Sequence, residues 1–150
     1  MVVGRLFYSN RTHPEYDGSP FDKKCVEVLN AIIGEADPVI IISSDWKDNF
    51  NVEELNNIFE ANGIVGKVSG VTSTLWKVKY TSLAQLEECR ADEIALYVIE
   101  HELRNYVAID DLDLSPWLSD NFVHTPRSNE GIKQSGIKQK IINKLKTNKI

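Results

Sequence analysis

The segment Tyr106-Val107-Ala108-Ile109-Asp110-Asp111 decides the fold class of this 150-residue chain. An apolar run that ends in two carboxylates is typical of a strand that is buried on both faces and stops where it reaches solvent. A second run of this kind, Val39-Ile40-Ile41-Ile42, follows Pro38 and ends in Ser43-Ser44-Asp45. Neither run alternates between apolar and polar residues, as strands of a half-exposed antiparallel sheet do. The two runs therefore predict a parallel sheet.

Helical patterns lie between these strands, so the chain alternates between the two kinds of element. Predicted helices cover residues 19–34, 51–63 and 82–103, the last with a break near residues 89–90, and a final helix has the inner face Ile137, Ile141, Ile142 and Leu145. Short strand candidates cover residues 64–68, 75–80 and 121–124. Alternating helices and buried strands predict a three-layer α/β/α domain that is Rossmann-like.

Composition and charge narrow the class of protein. Apolar residues make up 42% and charged residues 26% of the chain, which is ordinary for one globular domain, and no apolar run is long enough to span a membrane. Cys25 and Cys89 fall in helical patterns and are expected to be reduced packing residues of a cytoplasmic protein. Residues 131–150 hold six lysines and no acid. This basic C-terminal helix is either a solvated helix end or a contact for nucleic acid.

The carboxyl ends of parallel strands are where ligands bind, so the residues there are candidates for chemistry. The Ser43 hydroxyl suits a phosphate oxygen, and the Asp110 and Asp111 carboxylates suit Mg²⁺. A cation is then needed to offset the phosphate charge, and Arg90 or Lys47 supplies it. Each residue also has a plain structural interpretation, as a turn cap or a solvated surface group.

Four segments in order give these residues a common context. They are Ser43-Ser44-Asp45-Trp46-Lys47, the helical Arg90-Ala91-Asp92-Glu93-Ile94, the strand Val107-Ala108-Ile109-Asp110-Asp111, and Phe122-Val123-His124-Thr125 leading to Gly131-Ile132. Together they resemble the haloacid dehalogenase (HAD) superfamily of phosphohydrolases. More narrowly, they resemble the small HAD domains of Swiss Army Knife RNA-repair proteins. The resemblance implies a single HAD-like domain over residues 1–150, with no large cap.

The resemblance also implies a role for each candidate. Ser43 is the phosphate-binding hydroxyl, and Arg90 is the basic residue, with Lys47 as the second choice. Asp110 and Asp111 form the acidic pair that binds the family's Mg²⁺, with Asp110 as the preferred ligand. The implied substrate is a phosphorylated molecule, and the lack of a large cap suits a bulky one such as a nucleic-acid end.

The family's first motif is missing from the sequence. In relatives the central strand ends in Asp-x-Asp, whose first Asp attacks phosphorus and whose second protonates the leaving group. Here Met1-Val2-Val3-Gly4 looks like the residues just after that motif, and residues 1–18 read as the loop that follows it. We therefore expect a natural protein that extends upstream of Met1 and a chain that lacks its first central strand. The exposed strand edges would then be covered by residues 2–8 or by a second copy in a homodimer.

The resulting expectation is a Mg²⁺-dependent phosphohydrolase by ancestry that is inactive for lack of its nucleophile. The alternative is a non-catalytic module that binds phosphate or nucleic acid. A third interpretation is an unrelated doubly wound domain with coincidental motifs, in which Ser43, Arg90 and Asp110 would lie far apart.

Overall fold

The computed structural model describes residues 1–3, 21–75, 82–126 and 130–147. Five strands and five α-helices alternate along these segments. They are β1 (Val2–Val3), α1 (Lys23–Ala36), β2 (Ile40–Ile42), α2 (Val52–Ala61), β3 (Val68–Val71), α3 (Leu83–Glu100), β4 (Ala108–Asp110), α4 (Ser115–Leu118), β5 (Phe122–His124) and α5 (Ile137–Thr147). None of these helices combines the length and the apolar character needed to cross a membrane.

The strands form one parallel sheet in the order β3-β2-β1-β4-β5. This confirms the predicted α/β class with a parallel sheet. The expectation that the first central strand is missing is wrong, because β1 holds the central position and pairs with β2 on one side and β4 on the other. The Val2 N–H donates to the Val107 carbonyl at 2.8 Å, and the Ser43 N–H donates to the Val3 carbonyl at 2.8 Å. With both edges of the gap filled, the reason for expecting a homodimer no longer applies.

Alternate strand residues face two separate apolar layers, as the twofold period of a strand requires. One layer packs α1, α2 and α5 against Val107 and the strand side chains Val3, Ile40, Ile42, Val68, Ile109 and Val123. The other layer packs α3 and α4 against the strand side chains Val2, Ile41, Ala108 and Phe122. Ser43 and Asp110 each come two residues after a member of the second set, Ile41 and Ala108 respectively, and so belong to the α3 side.

The first residues of the helices agree with the predicted ranges, except in α1, which begins later than predicted. Asn51 forms a reciprocal capping box with Glu54 at the start of α2, and the Ser82 side chain accepts from the Gln85 N–H at the start of α3, so both predicted helices begin as their ranges indicated. Helix α1 begins at Lys23, capped by Asp22, rather than at residues 19–20. It also continues past Gly34 to Ala36, because the left-handed turn that ends it falls at Asp37 (φ 44°).

Three further predictions differ from the structure. Helix α3 runs without a break through residues 89–90, since Cys89 and Arg90 are buried in regular helical geometry. Strand β3 covers Val68–Val71 instead of residues 64–68, because its backbone pairing with β2 begins at Val68, opposite Ile40. In the strand candidate at 75–80, Leu75 lies outside any strand. The rest of that candidate, residues 76–80, lies outside the described residues.

Candidate functional site

The carboxyl edge of the sheet brings the predicted residues to one place. Val3 pairs with Ile42 and with Ile109, the residues that directly precede Ser43 and Asp110. Ser43 and Asp110 therefore flank the end of the same central strand, at a backbone separation of two strand spacings, or about 10 Å. Arg90 reaches this edge from α3, and its Nη1 lies 2.8 Å from Asp110 Oδ2. The candidates are thus neighbours, unlike in a domain whose motifs are coincidental.

Ser43 presents a hydroxyl that the fold itself does not use. Its side chain is fully buried, and its Oγ has no hydrogen-bond partner among the described residues. A buried hydroxyl without a partner costs about 1–3 kcal/mol, so such a group in a native fold calls for an explanation. A phosphate oxygen at the strand end would supply the missing partner.

Thr125 is a second buried hydroxyl of this kind, and sequence reasoning gave it no role. It directly follows β5, its N–H donates to the Asp110 carbonyl at 2.9 Å, and its Oγ1 has no partner within the described part of the chain. Strand alternation places Thr125 with Val123, on the α1 and α5 side of the sheet. The segment Phe122-Val123-His124-Thr125 was the only sequence signal for Thr125.

Arg90 and Asp110 form a buried ion pair at the end of β4. Both side chains are almost completely buried. The second carboxylate oxygen of Asp110 accepts the Leu112 N–H at 3.1 Å. Burial raises the pKa of Asp110 to about 6; the Arg90 charge and the Leu112 N–H act against this rise, and neighbouring Asp111 adds to it. The carboxyl of Asp110 therefore takes up a proton at a higher pH than an ordinary aspartate does.

The same contacts decide how well Asp110 and Asp111 fit a Mg²⁺ ion. Mg²⁺ needs carboxylate oxygens that are open to the ion and its waters. Here one Asp110 oxygen pairs with Arg90 and the other accepts a backbone N–H, while only Asp111 is partly exposed. Within the described segments no three His, Cys, Asp or Glu side chains are grouped as a metal site. The donor set present does not fit Mg²⁺.

Lys47, the second choice for the basic residue, lies beside the site but is directed elsewhere. It belongs to a short 3₁₀ helix, Asp45–Asp48, that follows β2. Its ammonium pairs with Glu93 and donates to Thr72 Oγ1 at 2.9 Å and to the Ser73 carbonyl at 3.2 Å. The structure therefore pairs Arg90, and not Lys47, with the acidic residue at the end of β4.

This geometry agrees with the comparison of the chain with known families. A family model described as the HAD domain in Swiss Army Knife RNA repair proteins matches residues 5–136. The chain belongs to this family. Searches of curated proteins and of solved structures returned no significant match. The HAD match gives the domain phosphohydrolase ancestry, and HAD proteins generally use Mg²⁺.

The central strand of this HAD domain does not lead into an acidic motif. Strand β1 ends at Val3, opposite the residues before Ser43 and Asp110, and the next residue in the sequence is Gly4. The first acidic residue of the chain is Glu15. The central strand is thus present, but no carboxylate follows it within the first fourteen residues of the sequence.

Proposed function

We propose that this HAD domain binds a phosphate group at the carboxyl edge of its sheet and does not hydrolyse phosphomonoesters. It is a phosphohydrolase by ancestry in which Ser43 and Arg90 hold the phosphate. The observation that carries the proposal is the buried Ser43 hydroxyl without a partner, next to the end of the central strand and on the same side of the sheet as Arg90.

Each residue has a defined part in this binding. The Ser43 hydroxyl donates to one phosphate oxygen, and the Arg90 guanidinium, fixed by Asp110, provides the positive charge. Asp110 keeps Arg90 in place at the strand end through their ion pair. These are binding and orienting roles, and none of them forms or breaks a bond to phosphorus.

The lack of hydrolysis follows from the end of β1. Without a carboxylate after Val3 there is no group to form an aspartyl-phosphate, and the binding groups alone support at most a small residue of catalysis. We also propose that Mg²⁺ binds weakly, because both Asp110 oxygens already have partners.

Phosphate binding by Ser43→Ala tests the proposal. Titration calorimetry with inorganic phosphate is expected to show saturable binding to the unmodified protein and at least tenfold weaker binding to the variant. The free energy of unfolding is expected to stay equal or to rise by about 1 kcal/mol, because the removed hydroxyl is buried without a partner. If Ser43 served folding alone, the variant would bind phosphate with unchanged affinity and would be less stable.

Two matched variants control this experiment. Ser44→Ala alters the adjacent serine, whose side chain makes no capping bond to the 3₁₀ helix, and phosphate affinity is expected to stay within about threefold of that of the unmodified protein. Thr125→Val removes the other unpartnered hydroxyl, on the opposite side of the sheet, and phosphate affinity is again expected to be unchanged.

Binding of phosphate by Ser43→Ala with unmodified affinity would refute the site. Hydrolysis of p-nitrophenyl phosphate by the unmodified protein in the presence of Mg²⁺, at a rate typical of a phosphatase, would refute the proposed lack of activity.

A phosphorylated nucleic-acid end is the partner that the basic C-terminal helix favours. Part of the charge on this segment is used within the chain, because Lys133 pairs with Asp22 and Lys146 with Glu35. Lys138 and Lys140, exposed at the start of α5, remain as contacts for a polyanion. Binding of a 5′- or 3′-phosphorylated oligonucleotide is expected to weaken with salt and with Lys138→Gln/Lys140→Gln. Equal binding of the unphosphorylated strand would show that the phosphate site takes no part.

A further inference from the structure

Helix α3 holds two buried ion pairs that connect it to two different strand ends. Arg90 and Glu93 lie three residues apart and therefore share one face of the helix. Arg90 pairs with Asp110 at the end of β4, whereas Glu93 pairs with Lys47 in the 3₁₀ helix after β2. The Arg90–Asp110 pair belongs to the proposed phosphate site, whereas the Lys47–Glu93 pair lies beside that site.

The Lys47–Glu93 pair is closed to a ligand. An ammonium has three N–H donors, and the Lys47 donors meet three acceptors: Glu93, Thr72 Oγ1 and the Ser73 carbonyl. Glu93 is equally engaged, since its other carboxylate oxygen lies 3.4 Å from Cys89 Sγ, which donates to it. Both side chains are at most 5% exposed. These contacts leave no donor on Lys47 for a phosphate.

A buried ion pair is weak evidence for stability, because the cost of removing two charges from water offsets their attraction. Such a pair is better explained by the geometry it imposes. Lys47 lies four residues after Ser43, on the segment that leaves β2, and it joins this segment both to α3 and to the residues after β3. The position of Ser43 relative to α3 therefore depends on this contact.

We propose that Lys47 and Glu93 are positioning residues, which set the distance between the Ser43 hydroxyl and the Arg90 guanidinium. The inference rests on the proposed phosphate site and adds to it the contact that aligns its two halves. Arg90 on α3 and Ser43 after β2 come from different elements, and the Lys47–Glu93 pair joins those two elements one helical turn from Arg90. Lys47 thus acts through Ser43 and does not touch the phosphate.

The double variant Lys47→Met/Glu93→Leu tests the proposal, because apolar residues of similar volume keep the packing and remove both charges together. The expected result is a folded protein whose phosphate dissociation constant is at least tenfold higher. Hydrogen exchange at the Lys47 and Phe50 amides, which bond to Ser44 and Trp46 carbonyls, is expected to be at least tenfold faster, with α5 unchanged. Glu35→Gln/Lys146→Met removes an exposed pair elsewhere and is expected to change neither readout.

Unchanged phosphate affinity in the folded double variant would overturn the positioning role. If the unmodified protein binds no phosphate, the proposed function fails and the positioning role fails with it. Phosphate binding by the unmodified protein, with unchanged exchange at Lys47 and Phe50 in the double variant, refutes the positioning role alone. If the double variant does not fold, Glu93→Asp takes its place, because it shortens the contact by one methylene. At least threefold weaker phosphate binding with normal stability is expected, and Lys47→Arg is expected to keep affinity within about threefold.

Discussion

At the scale of single residues, the carboxyl edge combines groups that the fold satisfies with groups that it leaves open. Arg90, Asp110, Lys47 and Glu93 all have partners, while the Ser43 hydroxyl has none within the described chain. A buried polar group without a partner in a native fold calls for an explanation. The contrast supports the proposal that the Ser43 hydroxyl binds a ligand.

The titration of Asp110 provides a prediction at this scale. A carboxyl whose folded pKa is raised stabilises the fold fully below its unfolded pKa of about 3.8, and this contribution is lost as the pH rises towards 6. We therefore expect the stability of the unmodified protein to fall between about pH 4 and pH 6, relative to Asp110→Asn, which has no titrating group there. Urea unfolding at several pH values measures this difference.

The Asp110→Asn variant will be less stable overall, because it leaves Arg90 buried without an opposite charge. The informative quantity is how the difference in the free energy of unfolding between the two proteins changes with pH. The ¹³C chemical shift of the Asp110 carboxyl, followed by NMR, gives its pKa directly. A difference that stays constant from pH 4 to 7, or a carboxyl that titrates near pH 3, would contradict the raised pKa.

At the scale of elements, the start of α1 is held to the start of the C-terminal segment by one side chain. Asp22 caps α1 by accepting the Cys25 N–H at 3.0 Å, and it also pairs with Lys133 at 2.8 Å. Lys133 belongs to the 3₁₀ turn Gly131–Lys133 that precedes α5. One carboxylate thus serves two elements that are more than 100 residues apart in the sequence.

Two substitutions separate the two contributions of Asp22. Asp22→Asn keeps a side-chain oxygen that caps the helix and loses only the partly exposed ion pair, so a loss of less than about 1 kcal/mol is expected. Asp22→Ala loses the cap as well and is expected to cost about 1 kcal/mol more. Thermal or urea unfolding compares the two. Equal losses would show that the cap contributes nothing.

At the scale of the whole molecule, a two-residue strand joins the two halves of the sheet. Strand β1 pairs with β2 on one side and with β4 on the other, and its side chains are buried in both apolar layers. Among the strands of the described residues, β1 alone connects the β3-β2 pair to the β4-β5 pair.

Val2→Pro tests this central position. Proline removes the Val2 N–H that donates to the Val107 carbonyl and places a ring inside a central ladder, where proline is not tolerated. A loss of about 3 kcal/mol or more is expected. Val2→Ala, which keeps the N–H and loses only buried methyl groups, is expected to cost clearly less. Equal unfolding midpoints for the two variants would place β1 outside the sheet centre.

The sequence by itself determined the features that depend on neighbouring residues. The apolar runs at 39–42 and 106–109 specified two strands, observed at Ile40–Ile42 and Ala108–Asp110, because apolar β-branched side chains fit a strand covered on both faces. The caps at Asn51 and Ser82 followed from side chains that reach their own backbone three residues ahead. The location of Ser43 and Asp110 at one edge of the sheet followed from the two predicted strands, since parallel strands present their carboxyl ends at the same edge.

Only the tertiary structure decided which strand is central and which cation pairs with Asp110. Two valines carry no periodicity, so Val2 and Val3 become a strand through the unpaired edges of β2 and β4 that they satisfy. The sequence offered Arg90 as the first choice of cation and Lys47 as the second, and the packing of α3 on the sheet pairs Arg90 with Asp110 and Lys47 with Glu93. Both outcomes depend on contacts between residues distant in sequence, whose energies come from burial and pairing and are not encoded in any local pattern.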